Sequence, residues 1–318
     1  VGDLPNARDL SVELTQQVAA LAARLEMDGG LEAHGGLEVT QRQALAEIAS
    51  TVRRLGAALG VDVDDPAMRV AGSLTTSSGA PSPAPPVEVI VPVLGVDACA
   101  AGWVGAILDP NAPRPRIAVA ASIGALVEAV RQTLDLQAVA IDIPIGLPDD
   151  STRQADVLAR KALKGKASTV FTTLTREAYE QETRAAADTA NRARSGQGVG
   201  AQAFRLRDKV LEVDAWVRSR PTVAVFEAHP ELSFAIMAGA PIRAAKRTDE
   251  GRAARLAALA AAGIASPSVL KGDGYAADDV LDACAAAWTA ARRTTGLARS
   301  LPETPETFSD GIPAAIWV

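Results

Sequence analysis

The chain has 318 residues, 48% of them hydrophobic and 22% charged, which excludes disordered and fibrous classes and leaves ample length for one large core or two domains. Two cysteines, Cys99 and Cys284, are too few for a disulfide scaffold or a cysteine-built zinc cage, and with no basic, apolar leader at the start they point to a reducing cytoplasm. The net charge of -6 is unevenly spread: residues 1–90 hold 12 acids and 6 bases, the remainder holds 26 of each, and residues 151–220 carry 14 bases against 8 acids.

Leu14, Val18, Leu21 and Leu25, then Leu45, Ile48, Val52, Leu55 and Leu59, recur at helical spacing around two glycine pairs. This predicts an N-terminal αα-hairpin over residues 1–71 whose stripes need a further surface, either the rest of the chain or a second copy in a homodimer. Residues 72–87 are rich in Pro, Ser and Gly and read as a linker, which places one domain over 88–318.

That domain opens with three short apolar runs, Val89 to Asp97, Trp103 to Leu108 and Arg116 to Ala121, which predict consecutive antiparallel strands. The first two are not a membrane span, because Asp97 at the centre of one would cost roughly 2.5 to 3.5 kcal/mol. A helix over Ile123 to Leu134 follows, capped by Ser122, and then AVAIDIPIG, apolar on both faces and hence an interior parallel strand. A basic helical insert is expected over about 151–220, and its surplus positive charge suits a polyanion. TVAVF at 222–226 predicts a fifth strand, and the remainder reads as helical, chiefly Glu250 to Ala262 and Ala277 to Arg293. The expected architecture is α/β, a mixed five-stranded sheet flanked by helices.

Three acids lie where acids are costly. Asp97 is the only charge among twenty residues, Asp142 interrupts AVAIDIPIG, and Glu227 follows TVAVF directly. A carboxylate in an interior strand must be paired, protonated or bound to a cation, so three on separate strands suggest one shared site. In ADDVLDACAAAW, Asp282 shares a helix face with Asp278 or Asp279. One of that pair is accounted for as a helix cap, whereas Asp282, among alanines, is not.

The order of elements, with an Asp in the first strand, an Asp in the fourth and Asp-x-x-Asp-Ala in the last helix, resembles the RNase H-like fold, particularly its Holliday-junction-resolvase branch. More closely, GVDACAAGWVGAIL, IDIPIGLP, FEAHPELSFA, KRTDEGRAARL and ADDVLDACAAAW are similar to the domain-of-unknown-function family 429, regarded as RNase H-like nucleases. The resemblance covers residues 93–318. It implies that Asp97, Asp142, Asp279 and Asp282 hold two divalent metals, with Glu227 beside Asp142, and that the chain hydrolyses phosphodiesters of DNA or RNA by a two-metal mechanism. The resolvase pattern has Glu where this chain has the shorter Asp142. Oxygen-only ligands favour Mg²⁺ or Mn²⁺ over zinc.

His229, in FEAHPE, is placed to position water or orient a carboxylate, with a structural turn histidine as the bland alternative. The resemblance also implies Arg153 and Lys246, which fall in the family's motifs, as the first candidates to hold substrate phosphates. For Asp156, Arg247, Arg252 and Arg255 a solvated face with local ion pairs is the simpler reading. Trp103 and Trp288 read as core, and Cys99 and Cys284 lack a nearby His to make them nucleophiles. Two other function classes stand beside the nuclease: a phosphohydrolase or phosphotransferase for a small phosphorylated substrate, and a non-catalytic interaction protein.

Overall fold

The computed structural model describes residues 83–318. The expected N-terminal hairpin, dimer contacts through it and most of the linker lie outside the described residues. Strands β1 (Val93–Cys99), β2 (Gly102–Leu108), β3 (Arg116–Ala120), β4 (Ala138–Ile141), β5 (Ala224–Ala228), β6 (Ser300–Thr307) and β7 (Pro313–Trp317) form one sheet. Its order is β3-β2-β1-β4-β5-β7-β6. As expected, β1 to β3 are antiparallel neighbours, and β4 lies in the interior, parallel to both β1 and β5.

The sheet has seven strands, not five. Beyond the last helix the chain returns as β6 and β7, where the sequence reads as helical. β6 carries Pro302 and Pro305, which only an edge strand tolerates, and it is the edge. β7 pairs parallel with β5 at Glu227↔Ile316 and Ala228↔Trp317.

Helix α1 (Ile123–Arg131) follows β3, and the Ser122 hydroxyl accepts from the Ala125 N–H at 3.2 Å, the cap the sequence predicts. The insert is helical, comprising α2 (Gln154–Ala162), α3 (Arg176–Glu180), α4 (Arg184–Ser195), α5 (Ala201–Arg205) and α6 (Arg207–Arg218). Helices α7 (Pro230–Ala238), α8 (Asp249–Ala261) and α9 (Ala277–Thr294) complete the fold. Leu94, Val96, Val139 and Ile141 face a core shared with α1 and the insert, and Val93, Ala138 and Ala140 face one shared with α7, α8 and α9. Helices thus cover both sheet faces, as expected of strands apolar on both sides.

The close seating of α9 on β1 comes from side-chain size. A Cβ on Gly95 would lie 2.0 Å from the Ala287 amide nitrogen and 2.2 Å from the Ala283 carbonyl oxygen, so only glycine fits beneath the alanine face of the helix. Residues alternate along a strand, so Asp97 points to the same face as Gly95, toward α9. Gly95→Ala is expected to cost at least about 3 kcal/mol, the upper end for overpacking, read as a lowered thermal midpoint. An unchanged midpoint contradicts this packing.

Candidate functional site

Pairing register brings two of the acids together. In the parallel pair β1–β4, Val96 lies opposite Ile141, so Asp97 and Asp142 come next on adjoining strands at their C-terminal ends. Ligand sites in open parallel sheets form at such ends. Helix α9 approaches this corner with its first two turns and brings Asp278, Asp279 and Asp282. All five acids line one cavity of about 490 Å³. Its wall also includes His229 and Glu231 at the start of α7, Lys246 and Arg247 before α8, and the insert's Lys166, Phe171 and Gln202. A wider depression of about 550 Å³ lies along α4, but its Asp188 is already bonded to the Arg192 side chain and the Val199 N–H.

The carboxylates are held in an unfavourable state. Burial, followed by the negative charges of Asp142 and Asp282, holds Asp97 well above the usual carboxylate range against the pull of Lys246. Burial pushes Asp142 up to about 7, with Glu231 adding to the rise and Lys246 opposing it. Burial likewise raises Asp282 to about 6 despite the Lys246 ammonium 2.7 Å from its Oδ2. Asp97 accepts the Ala98 N–H at 2.7 Å, whereas the Asp142 carboxylate receives no hydrogen bond among the described residues. Asp279 accepts the Ala276 N–H at 2.9 Å, the capping role weighed for one acid of this helix.

A hard divalent cation suits this donor set, which is all oxygen, strongly negative and, at Asp142, unpartnered. As they stand, no three His, Cys, Asp or Glu side chains among the described residues close around one point tightly enough to hold a metal ion. Asp282 is turned toward Lys246 instead.

Glu227 does not line the large cavity, but with Asp142 and His229 it lines a small one of about 30 Å³. In the sheet it pairs with Ile141, the last residue of β4, and its carboxylate turns toward the insert. There it forms a bidentate ion pair with Arg153, at 2.8 and 2.9 Å, and accepts the Ile145 N–H at 2.8 Å. Burial raises its pKa and Arg153 opposes the rise. Arg153 is fully buried, also holds Asp156 at 3.0 Å and does not line the cavity, so it is a structural cation and not a phosphate ligand.

His229 does line the cavity; burial depresses its pKa, and its Nδ1 has no hydrogen-bond partner among the described residues. Arg255 is buried against Glu231 at 2.5 Å and Arg252 pairs with Asp249 on the surface, and neither lines the cavity. Trp103 and Trp288 are core residues, as expected. Burial raises the thiols of Cys99 and Cys284, the latter to about 12, which leaves both poor nucleophiles. Eight of the insert's fourteen cations stand in ion pairs, seven of them with acids of the insert itself, so the pairing leaves its surplus of positive charge largely as the sequence counts it.

Lys166 went unnoticed in the sequence because KALKGKAST reads as solvated surface. In the structure its ammonium stands 3.4 Å from Glu231 at the cavity wall. Phe171 and Gln202 had no periodicity or motif to mark them. Among the described residues, no helix is long and apolar enough to cross a membrane.

Residues 95–307 match the model of a family described as "Protein of unknown function (DUF429)". No curated protein and no solved structure matches the chain.

Proposed function

The chain belongs to the DUF429 family, and from the site it carries we propose a divalent-cation-dependent nuclease of RNase H-like architecture that hydrolyses phosphodiester bonds. The observation that carries the reading is the meeting of Asp97, Asp142 and Asp282, from three distant parts of the sequence, in one cavity where Asp142 has no donor among the described residues. The β-β-β-α-β-α-β-α succession, with the acids at the C-terminal ends of β1 and β4, supports the architectural part. A solely structural role would leave Asp97 and Asp142 side by side with only Lys246, already bonded to Asp282, to offset their charge.

Asp97 and Asp142 would hold Mg²⁺ or Mn²⁺, with Asp282 and Asp279 at the opposite wall. The cation would polarise the phosphoryl oxygens and ease deprotonation of water. His229, kept neutral by burial, is able to accept a proton from a water attacking phosphorus. The bond from phosphorus to the 3′ oxygen breaks, leaving a 5′-phosphate and a 3′-hydroxyl. Lys166 and the largely exposed Arg247 would draw phosphates to the mouth.

A second reading, hydrolysis of a small phosphorylated substrate, is favoured by the cavity's size and by the wall that the insert contributes. One assay separates the two. Single-stranded, duplex and branched DNA and RNA, and free nucleoside triphosphates, are incubated with Mn²⁺, with Mg²⁺ and with chelator. The nuclease reading expects cation-dependent cleavage of a polynucleotide, reduced at least about 10³-fold by Asp97→Asn, of the order seen when a preorganised electrostatic group is removed. Cleavage of the triphosphates alone would favour the second reading, and no hydrolysis of any of them would contradict both.

A further inference from the structure

We propose that the Lys246 ammonium permanently fills one of the two cation positions of this site, so that the protein takes a single divalent ion. This rests on the cation-dependent reading above and specifies how many ions it needs, in place of the two implied by the sequence.

The charges around the cavity divide into those already matched and those that are not. Glu231 is matched by Arg255 at 2.5 Å and Lys166 at 3.4 Å. Asp278 is matched by Arg247 at 3.2 Å, and Asp279, which has no cationic partner among the described residues, sits in the first turn of α9, where the Ala276 N–H and the positive end of the helix favour its charge. Asp282 is matched by Lys246 at 2.7 Å. Asp97, which accepts only the Ala98 N–H, and Asp142 are left with neither a helix terminus nor, among the described residues, a cation in an ion pair. Two negative charges call for one divalent ion. A second would have to expel Lys246 from Asp282.

The backbone that delivers Lys246 is built to resist this. The Ala245 carbonyl accepts both the N–H and the hydroxyl of Thr248, at 3.0 and 2.8 Å, and Arg255 Nη1 donates to the Ala244 carbonyl at 3.3 Å. A Cβ on Gly251 would lie 1.9 Å from the Ala245 oxygen, so α8 is seated directly against the segment. Lys246 is therefore presented from a fixed turn. Its Nζ, 3.8 Å from Asp278 as well, sits between two acids of α9 as a tethered monovalent cation. A lysine ammonium is a compact point charge, which suits it to this position better than the planar guanidinium.

The test is calorimetric titration of the full chain with Mn²⁺ at pH 7.5. The wild type is expected to bind one ion per chain, and Asp97→Asn to lose it. Lys246→Met, which keeps an apolar stem at a side chain 40% exposed, frees Asp282 and is expected to bind two. Lys246→Arg retains the charge and is expected to stay at one. Two ions on the wild type overturn the proposal while leaving the cation-dependent reading intact, and so does a single ion on Lys246→Met with a native thermal transition. No ion on the wild type overturns both.

Discussion

Asp142→Asn is expected to make the metal-free protein more stable at pH 8 while abolishing the hydrolysis proposed above. The sign follows from linkage. The Asp142 carboxyl is raised from 3.8 to about 7 in the folded chain, so between those values the native state binds more protons than the unfolded state. Unfolding free energy therefore falls as pH rises through that window, and the whole penalty is present above pH 7. Asn removes the charge and keeps the shape. Because Asp142 is only half-buried, the gain at pH 8 should be about 1 kcal/mol, the lower end for relieving a polar group left without a partner, or roughly 2–4 °C in thermal midpoint for a domain of this size. Below pH 4 the two proteins should melt alike. A variant less stable than wild type at pH 8 without metal would show that Asp142 is already compensated inside the fold.

Arg153→Met is expected to do the reverse, destabilising by about 3 to 5 kcal/mol, because it strands Glu227 and Asp156 as buried charges without their common partner. Denaturant unfolding at pH 7.5 measures this. A loss under about 1 kcal/mol would mean that the pair is solvent-screened, contrary to the complete burial of Arg153. The two variants thus separate carboxylates that the sequence presents alike. Glu227 is satisfied by a protein cation, whereas Asp142 has no hydrogen-bond donor among the described residues.

Glu227 also marks the limit of what the sequence shows. TVAVF followed by an acid identifies a buried strand ending in a carboxylate, but which face that carboxylate takes depends on register with β4. A shift of one residue decides between Asp142 and Ile141 as its neighbour. Asp97 and Asp142 were legible because each is a lone charge in an apolar run. Asp282 was legible because helical spacing sets it among alanines that must be buried. The close packing of α9 that unites them was only implicit, in Gly95 and the alanines that face it. Lys246 could be named as a cation near the site, yet its contact with Asp282 spans 36 residues and no local pattern encodes it. Strands β6 and β7 escaped notice for a different reason. Two prolines and three acidic or polar neighbours in SLPETPET contradict the usual strand composition, and only its place at the sheet edge makes the segment a strand.

The most direct test of a cation held by Asp97, Asp142 and their neighbours is thermal unfolding at pH 8 with increasing Mn²⁺, on wild type and Asp142→Asn side by side. Binding to the folded state alone raises the wild-type midpoint with concentration, by about 2.7 kcal/mol at a hundredfold excess over the dissociation constant, and the variant should start higher and climb little. Equal climbs in both proteins, or none in the wild type, would contradict the account.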